Sequence, residues 1–213
     1  FWGPDPGGIS ASMARFFLAL FADGRYMGNL AQYSAGGYRI GNGSLIAAAS
    51  DPAPPPATVT DAQIQAEIMA QIAAGRLPRV EADAVYVLIT PPGVGVVDPN
   101  NIPSEHDFTG YHYYSVAGRF AYAVVLSGSP SEMTTIASHE LAEAVTDPQS
   151  NSWATVGWLD DRYGEIADIP QNFYHAGKIG LSDYQDVLVA PDGTSYAVQK
   201  VWSVKDGAPS AFG

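Results

Sequence analysis

The stretch from Ser129 to Pro148 leaves the backbone less choice than any other part of this chain. Ser129-Pro130-Ser131-Glu132 has the form of a capping box with proline at the first helical position. Ser129 can accept from an amide that the first turn leaves unpaired, and Glu132 can reach back to the cap. Pro148 lacks a donor and clashes with a preceding turn, so the helix must be ending there. The spacing predicts a helix to about Thr146, roughly 25 Å long at ~1.5 Å per residue.

Successive helical residues turn by ~100°, so, with His139 as zero, Glu143 lies near ~40°, Ile136 near ~60°, Asp147 near ~80° and Glu140 near ~100°. One sector therefore carries a histidine and three acidic groups, while Met133, Ala137, Leu141 and Ala144 serve the packed faces. Residues at i and i+4 are stacked neighbours about 6 Å apart. One metal ion can touch both His139 and Glu143, with Glu140 beside it as a general base. This is the geometry of the HExxH zinc helix with a carboxylate replacing the second histidine. Zinc accepts nitrogen and carboxylate oxygen alike, and the exchange leaves room for other divalent ions. A solvated acidic helix face with one partnered histidine is the plain alternative.

Further ligands are sought on both sides. Downstream, residues 158–168 hold Asp160, Asp161, Glu165 and Asp168 around Gly164. They read equally as the source of a third ligand, Glu165 or Asp168, and as a polar turn or calcium loop. Upstream, His112 stands among tyrosines in Gly110-Tyr111-His112-Tyr113-Tyr114, and reads equally as a ligand or substrate contact and as a packed, hydrogen-bonded residue. His106 and His175 read as solvated loop histidines.

Around this helix the pattern is mixed. Met13, Phe16, Phe17, Leu20 and Phe21 predict a helix over 9–23, ended by Gly24. Phe1-Trp2 reads as the stub of a first strand, and Ser44 to Ala49 as a short apolar strand. The prolines of 51–57 force an extended connector. Thr60 and Gln63 box the start of a helix that buries Ile64, Ile68 and Ile72 and stops at Gly75. Residues 84–90 form an apolar run, expected as a central strand. Residues 91–118 read as a long functional loop, and 120–126 as a second strand. Residues 148–195 carry few periodic runs. A hairpin turning at Pro191-Asp192-Gly193 closes the chain.

Composition narrows the function classes. The 22 acidic and 10 basic residues give a net charge of -12, and no Lys/Arg cluster exists, so nucleic acid and anionic membrane surfaces are poor partners. The absence of cysteine excludes a thiol nucleophile, disulfides and Cys-ligated metal. No apolar run reaches the ~18 residues of a membrane span. Charged residues are only 15% of the chain, and this sparseness, with 22 Gly, 16 Pro and 12 Tyr, fits an extracellular enzyme. Phe1 stands where an initiator Met would, which reads as processing or trimming.

The block ASHELAEAVTDP with a following Trp153, then GEIAD and YAVQKVWS, resembles a group of secreted bacterial and fungal proteins distantly related to plant EXORDIUM-like (phosphate-induced) proteins. FWGP, GNGS, PPPATVTDAQIQ, YVLITPPGV and GYH fit the same group. The resemblance implies secretion and a zincin-like metal helix, and implies no substrate. Plant members lack the His-Glu pair and carry cysteines, so their roles do not carry over. The shared GYH histidine keeps His112 in play.

The expected fold is α/β to α+β: a mixed sheet with flanking helices, a zincin-like active-site helix and a loop-rich C-terminal lobe. It is taken as a single catalytic domain over 1–213, with an N-terminal lobe to about 147 and a C-terminal lobe from 148. The expected function is a secreted, monomeric metal-dependent hydrolase, a zinc endopeptidase acting on protein or peptide. His139 and Glu143, with Asp168, Glu165 or His112, would hold Zn2+ or another divalent ion, and Glu140 would take the proton of the attacking water. Two other classes remain: a calcium-stabilised extracellular binding or cell-wall protein, and a glycosidase using a carboxylate pair such as Glu140 and Glu165.

Overall fold

The computed structural model describes residues 1–104, 108–149 and 157–213. It is a mixed α and β structure with small sheets. The chain opens with helices α1 (Ile9–Asp23) and α2 (Arg25–Leu30) and a short 3-10 turn at Ala31–Tyr33. Strand β1 (Thr58–Thr60) leads directly into α3 (Asp61–Ala73). Then come β2 (Val85–Ile89), β3 (Gly95–Val97), β4 (Gly110–Ser115) and β5 (Phe120–Val125). The long helix α4 spans Pro130–Thr146. Two short helices, α5 (Asp168–His175) and α6 (Leu181–Tyr184), precede β6 (Gln185–Val189), β7 (Ser195–Gln199), β8 (Val201–Ser203) and β9 (Ala208–Ser210).

The main sheet has the order β2-β5-β4, with β2 parallel and β4 antiparallel to β5. All six residues of β5 are buried because both of its faces are covered. Phe120, Tyr122 and Val124 point into one core with Ile64 and Ile68 of α3. Val125, on the same face of the strand as Ala121 and Ala123, belongs to the other core, which includes Met133, Ala137 and Leu141 of α4. Those alanines leave room on that face.

Helix α4 lies between this sheet and the β6–β7 hairpin, touching β4, β5 and β7. Twelve of its 17 residues are buried, so even its polar sector is enclosed. Both predicted reciprocal caps are formed: Ser129 with Glu132, and Thr60 with Gln63. Two further bonds fix the helix. Tyr26 Oη donates to the Ser138 carbonyl at 2.9 Å, and the Gln199 amide donates to Ser138 Oγ at 2.9 Å.

Several expectations are corrected. The run at 84–90 supplies β2, but at the sheet edge; the central strand is β5. An apolar run reports burial without reporting sheet position, and part of the β2 edge is covered by the N-terminal segment, where the Trp2 amide donates to the Ile89 carbonyl. Ser44–Ala49 forms no strand: among the described residues only its last carbonyl, that of Ala49, accepts from the N-terminal segment, and Ile46 is 74% exposed. The supposed loop 91–118 contains β3 and β4, which places His112 on a strand. Helices α5 and α6 occupy a region that showed little periodicity.

The approach of β4 to α4 depends on Gly110. A Cβ there would meet Ile136 Cγ2, and would stand 2.9 Å from both Glu140 Oε1 and the Val124 carbonyl oxygen. Gly110→Ala is therefore expected to lower the unfolding free energy by about 1–3 kcal/mol, the usual cost of overpacking. Equilibrium denaturation measures this, and an unchanged midpoint would refute so close a contact.

Candidate metal centre

Three elements converge on one buried point. Helix α4 brings His139, Glu140 and Glu143, exposed by 7%, 5% and 4%. Strand β4 brings His112, which pairs in register with Ala123 and shares the Gly110 face of the strand. The third source is the turn before α5. Asp160 and Gly164 bridge to each other, and Gly164 takes φ +89°, closing the turn where a Cβ would strike Asp168. Ile166 and Ala167 are fully buried and pinned: the Trp202 amide donates to the Ile166 carbonyl at 2.7 Å, and Gln199 Nε2 donates to the Ala167 carbonyl at 2.7 Å. These anchors aim Glu165 and Asp168 at the helix. Asp168 Oδ2 accepts from the Glu165 amide, while Oδ1 faces His139.

The donors fall into two sets, each with its atoms within 4.8 Å of one another: His139, Glu143 and Asp168, and His112, Glu140 and Glu143. In the first, His139 Nε2 lies 3.1 Å from Glu143 Oε2 and 3.7 Å from Asp168 Oδ1. In the second, His112 Nδ1 lies 3.6 Å from Glu140 Oε2 and 3.5 Å from Glu143 Oε2. Glu165 Oε2 faces the other side of that ring, 3.6 Å from His112 Nε2. All five separations exceed the ~2.7–2.9 Å of a charge-assisted hydrogen bond. They match the ~3.3 Å edge of a tetrahedron of donors held at ~2.0–2.1 Å from zinc. Among the described residues, His112 Nε2, Glu143 Oε1 and Glu165 Oε2 are buried without a hydrogen-bond partner. Orphaned donors of nitrogen and carboxylate type fit a divalent cation.

Gln199 sets the tautomer of His139. Its Nε2 donates to the Ala167 carbonyl, so its Oε1 is the atom 3.0 Å from His139 Nδ1 and 3.0 Å from Tyr184 Oη. An amide oxygen only accepts, so Nδ1 carries a proton, and in the neutral ring Nε2 turns its lone pair toward Glu143 and Asp168. This is how outer partners orient a metal-binding imidazole.

Without an ion, the cluster's electrostatics are severe. Among the described residues no Lys or Arg pairs with Glu140, Glu143, Glu165 or Asp168. Burial opposes charging His139, but Glu143 and Glu140 overcome it and raise the ring to about 10. Burial and the nearby Glu143 push Glu165 up to about 8 and Asp168 up to about 6. Burial also opposes the Glu143 carboxylate, yet His139 and His112 hold it down at about 2.

The six residues expected at the site, His112, His139, Glu140, Glu143, Glu165 and Asp168, thus lie close together. Glu140, expected only beside the ligands, falls within the His112 donor set. Asp147, expected in the same helix sector, is the C-cap residue and belongs to neither set. His175 is exposed at the end of α5, and His106 and Trp153 lie outside the described residues. No local spacing in the sequence assigns a role to Gln199, Tyr184, Tyr26 or Ser138. The available signal was Gln199 itself, an amide set among apolar strand residues. No family model matches this chain, and no curated protein or solved structure matches it either.

In protein freed of divalent ions, these shifts fix the sign of the pH dependence. His139 binds its proton more tightly when folded, so its contribution is complete below about 6.5 and is lost as pH rises through about 10. Glu165 and Asp168 favour the protonated folded form and lose stability as they ionise through about 8 and about 6. Glu143 runs the other way, its contribution being lost only below about 4.5, as pH falls toward about 2. The chelated protein is expected to melt at a higher temperature at pH 6 than at pH 9. Calorimetry showing the reverse order would contradict this cluster.

Proposed function

We propose that this protein is a secreted metal-dependent hydrolase, a zinc endopeptidase of zincin-like design. The observation that carries the reading is the spacing of His139 Nε2, Glu143 Oε2 and Asp168 Oδ1, fixed on one side by Gln199. A zinc ion held there supplies Lewis acidity, polarising a carbonyl oxygen and acidifying a water. The chain's own groups do the rest. Glu140 follows the ligand histidine in sequence and presents a carboxylate to the same enclosed space. It takes a proton from the attacking water as the carbon–oxygen bond forms, then returns it to the leaving amine as the carbon–nitrogen bond breaks. The fixed helix and turn hold these groups in place without reorganisation.

A peptide substrate is favoured by strand β4. It is the edge of the β2-β5-β4 sheet among the described residues, so an extended chain can pair beside it, next to His112. The net charge of -12 also draws cationic segments toward the protein. Calcium is a poorer fit, because it prefers six or more oxygens and each donor set includes an imidazole. A glycosidase is poorer too: Glu140 and Glu165 face opposite nitrogens of His112, so the ring stands where a sugar would have to lie. No helix among the described residues is long and apolar enough to cross a membrane.

The test compares wild type with Glu140→Gln on a fluorogenic casein. Wild type is expected to cleave it, to lose cleavage to chelator and to regain it with zinc. Glu140→Gln should still bind zinc at His139, Glu143 and Asp168 but cleave ~10²–10⁴-fold more slowly. Equal rates for the two proteins would remove this helix from the chemistry.

A further inference from the structure

A single ion at His139, Glu143 and Asp168 leaves much of the cluster unused. His112, Glu140 and Glu165 remain in the same enclosed space, and the side chains of His112 and Glu140 are only 7% and 6% exposed. We propose that His112 Nδ1, Glu140 and Glu143 form a second divalent-cation site, with Glu143 bridging the two ions. The proposal rests on the hydrolase reading for its first ion and extends it to a two-ion centre.

Geometry supplies the first argument. The two donor sets share only Glu143, one imidazole belonging to each. Glu143 Oε2 faces both rings, at 3.1 Å from His139 and 3.5 Å from His112, while Oε1 has no hydrogen-bond partner although the side chain is only 5% exposed. A carboxylate with one oxygen left over in a dry site is what a bridging ligand requires. The two histidines share an orientation, though only His139 has a hydrogen bond on its outer nitrogen. His139 turns Nε2 to its carboxylates and Nδ1 to Gln199; His112 turns Nδ1 to its carboxylates and Nε2 to Glu165. Each ring thus turns one nitrogen to carboxylates of its own donor set and the other away from it, and for His139 that outer nitrogen is held by Gln199, as around metal-binding imidazoles.

Charge supplies the second argument. Glu140, Glu143, Glu165 and Asp168 carry four negative charges when ionised, and among the described residues no Lys or Arg pairs with them. With both imidazoles neutral, as ligands must be, one divalent ion leaves a buried excess of two negative charges. Two divalent ions bring the sum to zero. Such pairs, roughly 3.5–4 Å apart, recur in hydrolytic sites, including those of aminopeptidases. Glu140 then contributes one oxygen to the second ion and keeps the other, beside Gly110, for the proton.

The experiment titrates the full, chelated chain with Zn2+ and counts bound metal by mass spectrometry. Two ions per chain are expected for wild type, and one for His112→Asn. One ion at saturation in both proteins would overturn the second site and leave the hydrolase reading intact; no bound ion would overturn both. A variant-free check is Mn2+ resonance on wild type at two equivalents. A spin-coupled spectrum is expected, and two uncoupled signals would overturn the shared bridge.

Discussion

Glu143 is 4% exposed, lies against two imidazoles, and belongs to both groups of donors. Removing a carboxylate from water costs several kcal/mol unless something replaces its hydration. Here the replacement is His139 one helical turn back and His112 on the neighbouring strand. That requirement reaches outward. His112 comes close only because Gly110 lets β4 lie against α4, and His139 is aimed only because Gln199 is held by Ala167. The turn that carries Ala167 also delivers Glu165 and Asp168.

The fold can be read as the support for this arrangement. A helix lying on one sheet keeps a wet face. Helix α4 lies between the main sheet and the β6–β7 hairpin, and the hairpin covers the face that would otherwise be wet. Small residues along it, Ala137, Ser138, Ala142 and Ala144, allow close approach on all sides. On the far side of the sheet, α3 closes a second core. There, buried Asp61 accepts from Tyr111 and Tyr122, which braces β4 and β5 from behind.

Much of the site was legible because its chemistry sits within short stretches. His139, Glu140 and Glu143 are related by helical geometry alone, and their helix is delimited by Ser129, Glu132 and Pro148. The acidic turn around Gly164 announces itself by composition. The supporting groups were hidden for a physical reason: Gln199 is 60 residues from His139, and Tyr26 is 112 residues from Ser138. Such bonds exist only after the core has assembled. Sheet order was hidden likewise, since the apolar runs at 84–90 and 120–126 look alike until other elements cover one on both faces.

Local periodicity, capping residues and turn chemistry determined the helices at 9–23, 61–73 and 130–146, the turn of the β6–β7 hairpin, and the common face of His139 and Glu143, because each depends on neighbours a few residues away; that a separate β8–β9 hairpin follows was not legible. Tertiary structure decided that β5 is central, that His112 joins the cluster from a strand, that Glu140 sits within reach of that ring, and that Gln199 orients His139. Those depend on distances between segments far apart in the chain. Such distances are set by the packing of two cores and the burial of charge, which no local window of sequence contains.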